Sequence, residues 1–253
     1  MKTLIALLAL AFASGMSLAE TRTFGTETSD GVTVYGEIYT ADGVAKNAPL
    51  ILLFHQGASN GRAEYEPLVP VLLAEGYNLV SIDQRRGGDR FGGVNRTLAG
   101  VGDTDYSYCD VMPDLEAALR FARDEGFSGP TVAWGSSYSA ALIFKLALDH
   151  PDEIVAVVAF SSASGDPMAG CMPEMFSAEV TQPVLALRPA REMEVPYVPG
   201  QMALFEQQGH RTYVADPAVH GSSMLNEARV GSPVDAAWAV VLGFLEEVLP
   251  GDR

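Results

Sequence analysis

The chain has 253 residues, of which 48% are hydrophobic and 19% charged, and its formal net charge is −16. That length suits a well-filled α/β domain rather than a small scaffold stapled by disulfides or metal. So acidic a surface repels phosphate backbones and anionic bilayers, which argues against nucleic acid or a charged membrane as partner.

In chain order, the first expected element is a cleavable export signal over residues 1–19. Lys2 precedes an apolar run from Leu4 to Phe12, and small residues follow at Ser17 and Ala19. The run is shorter than the roughly 20 apolar residues of a membrane span. Glu20, not a cysteine, stands directly after the expected cut, so no lipid anchor is expected there. The reading is a soluble, secreted or periplasmic protein of one domain over residues 20–253, with no membrane anchor.

Strand-like and helix-like patterns then alternate. Residues 32–39 alternate as an early antiparallel strand, and residues 50–54 form a continuously apolar run, as expected for a strand covered on both faces. A helix over 65–76 and a strand over 78–82 follow. Next come a helix over 113–125 with Pro113 near its start, a strand over 131–134, a helix over 138–149 and a strand over 154–160. Strands over 183–187 and 211–215 flank a helix near 201–208, and an amphipathic helix over 233–248 ends the pattern. This alternation predicts an α/β fold: a mostly parallel central sheet with helices on both faces and ligands bound beyond the carboxyl ends of the strands.

Trp134-Gly135-Ser136-Ser137-Tyr138-Ser139 joins a strand directly to a helix. A tight turn there lifts the Ser137 hydroxyl above the sheet, beside the amide-rich start of the helix. Ser136 and Ser139 read as turn and packing residues. A serine hydroxyl is a poor nucleophile at neutral pH and needs a base. Of the four histidines, His150 sits where a helix ends, His210 precedes a strand at the wrong edge, and His55 shapes an early loop. His220 follows the last strand, at the edge to which Ser137 points, and is the expected base. A carboxylate should orient it, from the segment after a late strand. Glu192 is the first choice, with Glu194 and Asp166 as alternatives. The oxyanion donors are expected at Tyr138 N–H and at Gln56 or Gly57, two positions that spacing does not separate.

Taken together, Phe54-His55-Gln56-Gly57, Asp83-Gln84-Arg85-Arg86-Gly87-Gly88, the turn at Ser137 and His220-Gly221-Ser222-Ser223 resemble the α/β-hydrolase superfamily. The resemblance runs from about residue 30 to the C-terminus and is greatest to its small, dienelactone-hydrolase-like group. It implies the α/β-hydrolase fold, a Ser-acid-His triad and hydrolysis of a small-molecule acyl substrate such as a carboxylic ester. Dienelactone itself is not implied, because that group uses a cysteine nucleophile where this chain has Ser137, and works in the cytoplasm. A peptidase or amidase on the same triad, or a non-catalytic secreted binding protein of this fold, are the alternatives.

The remaining features are read structurally. Arg85, Arg86 and Arg90 flank a glycine-rich loop that lacks a phosphate-binding signature, and pairing with carboxylates is their expected use. The segment 165–182 is too short for a lid domain, which favours an open site. Cys109 and Cys171 are expected to form one disulfide near the site's rim, as an exported pair does. Two cysteines without histidines at ligand spacing make no zinc site, and neither metal nor cofactor is expected.

Overall fold

The structure, a computed structural model, describes residues 20–102 and 104–249; the expected signal over 1–19 lies outside them. Among the described residues eight strands form one sheet: β1 (Glu20–Glu27), β2 (Thr33–Thr40), β3 (Leu50–Phe54), β4 (Asn78–Asp83), β5 (Thr131–Ser136), β6 (Ile154–Phe160), β7 (Val184–Pro189) and β8 (Arg211–Ala215). Their spatial order is β1-β2-β4-β3-β5-β6-β7-β8. β2 runs antiparallel to both its neighbours, and every pairing from β4 through β8 is parallel.

Among the described residues eight helices cover it: α1 (Gly61–Tyr65), α2 (Val69–Ala74), α3 (Arg96–Val101), α4 (Met112–Asp124), α5 (Tyr138–Asp149), α6 (Val198–Gln207), α7 (Glu227–Val230) and α8 (Asp235–Val248). The central strands carry apolar side chains on both faces because both are covered. Leu50, Leu52 and Phe54 of β3 enter one core with α4, α5 and α6; Ile51 and Leu53 enter the other with α2 and α8.

Two local expectations need correction. The stretch 65–76 is not one helix. Pro67 and Pro70 interrupt it, since proline lacks an N–H and disfavours helical backbone before it; α1 ends at Tyr65 and α2 starts at Val69. β1 went unread because seven of its eight residues do not reach the core. Phe24 is its one buried side chain, stacked on Phe121 with centroids 3.7 Å apart, over a gap that a Cβ on Gly36 would fill.

Among the described residues no helix is long and apolar enough to cross a membrane. Nor does any cluster of three or more His, Cys, Asp or Glu among them suit a metal ion.

Candidate active site

β5 passes into α5 through Ser137, whose backbone sits at φ 61°, ψ −119°. A non-glycine residue at positive φ costs of order 1–3 kcal/mol and persists only where its surroundings hold it. Here the Ser137 N–H donates to Phe160 O at 2.8 Å, and the Ser137 carbonyl accepts from Ala163 N at 3.0 Å. Gly135 admits the close return of the helix: a Cβ there would lie 2.7 Å from the Ser139 carbonyl carbon. Ser139, which stands where a second small residue is expected, also bonds. Its hydroxyl donates to His55 O and accepts from Gln84 Nε2, both at 2.6 Å.

His220 reaches the same edge on the loop after β8. Ser222 N–H donates to Ser136 Oγ at 2.8 Å, the two hydroxyls meet at 2.6 Å, and Trp134 Nε1 donates to Ser222 Oγ at 2.8 Å. Gly221 N–H donates to Ser161 Oγ at 3.1 Å. The loop is thus fastened to the end of β5, one residue before Ser137. Among the described residues neither Ser137 Oγ nor His220 Nε2 has a hydrogen-bond partner.

Of the three candidate acids the structure brings Glu192 to His220. His220 Nδ1–H donates to Glu192 Oε1 at 2.6 Å. Glu194 and Asp166 are exposed and make no such contact. The other carboxylate oxygen of Glu192 accepts from Arg188 Nη1 at 2.8 Å. Arg188 is only 2% exposed; its other Nη donates to Ser162 O and Gln201 Oε1, and Gln201 passes the chain on to Glu174 at 2.8 Å. Burial pushes the Glu192 carboxyl up, but the bond and charge of His220, then Arg188, outweigh it and hold it at about 2. Sequence reasoning missed Arg188. The signal was there: an arginine at the end of an otherwise apolar strand needs a buried partner.

The oxyanion alternatives separate. Gln56 N–H donates to the buried Glu64 Oε2 at 2.9 Å and is therefore not free, which removes Gln56 as a donor. Among the described residues the Gly57 N–H has no acceptor. Tyr138 N–H belongs to the first turn of α5, where no intrahelical acceptor exists. Phe54 of β3 lies opposite Gly135 of β5, so Gly57 and Tyr138, each three residues further on, rise beyond the same sheet edge. Tyr108 joins them: its ring stacks on Tyr138 at 4.6 Å, and its hydroxyl lies 3.1 Å from where a Cβ on Gly57 would be.

The other three histidines, with Arg85 and Arg86, have structural employment. His55 is fully buried, accepts from Gln84 N–H through Nε2 at 2.9 Å and bonds Gln56 O through Nδ1 at 2.8 Å. Burial lowers its pKa, so it stays neutral. His210 bonds Ser177 O at 2.8 Å and His150 caps α5. Arg85 is buried between Asp114 and Asp30, and Arg86 pairs with exposed Asp105 at 2.7 Å. Arg90 is exposed and makes no ion pair among the described residues.

Cys109 and Cys171 are disulfide-bonded with Cα atoms 5.6 Å apart, and Cys109 follows Tyr108 directly. The bond spans a sequence separation of 62, for which chain entropy gives roughly 4 kcal/mol. The double variant Cys109→Ser/Cys171→Ser is expected to lose about 2–4 kcal/mol in urea denaturation. Because Tyr108 then lacks its anchor, turnover should fall more steeply with temperature than wild type below the unfolding midpoint. Unchanged urea stability would show that the bond adds nothing to the fold.

Residues 49–202, more than half of the chain, match the family described as alpha/beta hydrolase fold. The chain belongs to that family. Among solved structures, an esterase from Pyrococcus furiosus aligns at a TM-score of 0.66 and 19% identity, over 91% of this chain and 92% of its own. A protein from Klebsiella pneumoniae described as a dienelactone hydrolase aligns at 0.67 and 16% identity, over 89% and 97%. An acylaminoacyl peptidase from Pyrococcus horikoshii aligns at 0.69 and 14% identity, over 94% of this chain but 43% of the longer protein. Likenesses at these identities show a common fold. No curated protein sequence matches.

Proposed function

We propose that this chain is a serine hydrolase that cleaves small carboxylic esters through an acyl-enzyme on Ser137. The observation that carries the reading is the Glu192–His220 hydrogen bond of 2.6 Å, on a loop fastened beside the Ser137 turn. Ser137 Oγ attacks the acyl carbon while its proton passes to His220 Nε2, and Glu192 holds the opposite ring nitrogen and the charge that forms. Tyr138 and Gly57 N–H donate to the oxyanion. The C–O bond breaks as His220 returns the proton to the leaving alcohol. Water, deprotonated by His220, then splits the acyl-enzyme and restores Ser137.

Esters are favoured over amides because neighbours of this chain's own length are the esterase and the dienelactone hydrolase, whereas the peptidase neighbour is more than twice as long. Export through residues 1–19 accords with the disulfide, which persists in oxidising compartments.

A fluorophosphonate probe on the purified protein, with p-nitrophenyl esters and p-nitroanilides as paired substrates, tests the reading. Labelling together with ester turnover is expected. Preference for the anilides would make the protein a peptidase, and no labelling would make it a binding protein of this fold.

A further inference from the structure

Tyr108 stands in the loop between α3 and α4, half-buried, and its ring stacks on that of buried Tyr138, with centroids 4.6 Å and planes 19° apart. Three further contacts fix it there. Its neighbour Cys109 is disulfide-bonded to Cys171. Asp110, two residues on, accepts from Ser107 N–H and Ser107 Oγ, both at 2.7 Å, closing the turn in which Tyr108 sits. Arg86, paired with Asp105 at 2.7 Å, places its guanidinium carbon 5.0 Å from the centre of the Tyr108 ring.

The hydroxyl of this ring reaches Gly57. A Cβ on Gly57 would lie 3.1 Å from Tyr108 Oη, tighter than an ordinary side-chain contact. Following the bonds from that position back through Cα puts Tyr108 Oη no more than about 6 Å from the Gly57 nitrogen. Oxyanion donors stand about 2.7–3.1 Å from the oxygen they serve, so one oxygen between Gly57 N–H and Tyr108 Oη is within reach of both. The turn that carries Gly57 is fixed as well. Ala58 is held at φ 60°, its carbonyl accepts from Arg90 N–H at 2.8 Å, and a Cβ on Gly88 would lie 2.8 Å from Ala58 O. A non-glycine residue at positive φ persists only where its surroundings enforce it, as they do at Ser137.

The proton of the Tyr108 hydroxyl is not committed. Among the described residues Tyr108 Oη donates to no acceptor. Its side-chain hydrogen-bond contact is with Arg86. A guanidinium has donors alone, so this contact uses the lone pairs of the phenol oxygen and leaves its O–H to donate elsewhere. Hydrogen bonds in series polarise one another, and donation from Arg86 strengthens the next bond from Tyr108. Tyr138 Oη, by contrast, is spent: it donates to Arg86 O at 2.7 Å and accepts from Gln84 Nε2 at 3.0 Å.

We propose that Tyr108 is a catalytic residue whose hydroxyl is a third donor to the oxyanion, beside Gly57 and Tyr138 N–H. The proposal rests on the hydrolytic reading of Ser137. No atom is transferred in this step. The phenol keeps its proton and hydrogen-bonds the oxygen that turns negative in each tetrahedral intermediate, first as the acyl-enzyme forms and again as water splits it.

Tyr108→Phe, which removes the oxygen and keeps the stacked ring, tests this in the full chain. Wild type is first labelled with a fluorophosphonate and assayed on p-nitrophenyl acetate. Relative to it, kcat of Tyr108→Phe is expected to fall about 10²-fold with KM within about twofold, because the removed bond forms only in the transition state. Affinity for phenyl trifluoromethyl ketone, whose adduct on a serine carries an oxyanion, should fall by about the same factor. The urea midpoint should not move. Wild-type kcat in the variant, a loss through KM alone, or a loss matched by a lower urea midpoint would overturn the proposal and leave the hydrolytic reading standing. A wild type that neither labels nor turns over would remove that reading and this proposal together.

Discussion

Ser137→Ala is expected to abolish fluorophosphonate labelling and to lower ester turnover about 10⁴-fold or more, the scale on which triad nucleophiles act. Its stability should stay within about 0.5 kcal/mol of wild type, because the hydroxyl carries no hydrogen bond among the described residues. The neighbouring serines make the contrast. Ser136 is buried and its hydroxyl accepts from Ser222 N–H, so Ser136→Ala loosens the His220 loop. That variant should lose roughly 1–3 kcal/mol of stability yet still label. Ser139 is committed to His55 and Gln84. Intact-mass spectrometry of the labelled proteins, run beside urea denaturation, separates these outcomes. Labelling that survives Ser137→Ala and is lost in Ser136→Ala would place the nucleophile one residue earlier.

What could be read from residues alone depended on how local its cause was. The strands from β3 to β7 were legible because burial on both faces leaves continuous apolar runs, as in Leu50-Ile51-Leu52-Leu53-Phe54. The Ser137 turn was legible because glycine, serine and a small residue stand between a strand and a helix. α3 was missed although its signal is local: Asn95 caps it by accepting from Leu98 N–H at 2.7 Å. Other features have causes distant in sequence. Gln56 and Gly57 stand equally well placed along the chain, and only the buried Glu64, brought there by α1, takes the Gln56 amide. Glu192 could be favoured over Glu194 only weakly from position, since the choice is made by Arg188 below it and His220 from the next strand.

A polar hub holds these loops in register. Gln84 at the end of β4 accepts from His55 N–H at 2.8 Å and donates to Tyr138 Oη at 3.0 Å and Ser139 Oγ at 2.6 Å. One buried side chain thereby ties the loop carrying Gly57 to the helix start carrying Tyr138, the two proposed backbone oxyanion donors. In a low-dielectric interior such a network is rigid only when its members are satisfied, and Gln84 and His55 both are.

Glu192→Gln is expected to reduce ester turnover about 10³- to 10⁴-fold, comparable to the loss when the acid of a chymotrypsin-type triad becomes an amide. A glutamine in this position can present its NH₂ to His220 and so stabilise the wrong tautomer. The structure adds a second consequence. Arg188 is buried and its Nη1 points at Glu192, so the variant removes the negative charge from a guanidinium that keeps only Ser162 O and Gln201 as neutral partners. Breaking such a pair from one side is destabilising. The carboxyl lies at about 2 against an ordinary 4.5. A depressed carboxyl stabilises the fold at pH values above the unfolded value, and the contribution is lost as pH falls from about 4.5 toward 2. Full expression of the shift would amount to roughly 3 kcal/mol, and solvent screening at this partly exposed site reduces it to about 2 kcal/mol. Wild type should therefore exceed Glu192→Gln by about 2 kcal/mol in urea denaturation at pH 7, and the gap should narrow below pH 4.5. Glu194→Gln, altered at an exposed position, should match wild type in both measurements. Near-normal turnover by Glu192→Gln would detach the acid from the triad, and a stability gap that did not change with pH would show that the Arg188 pair is not its source.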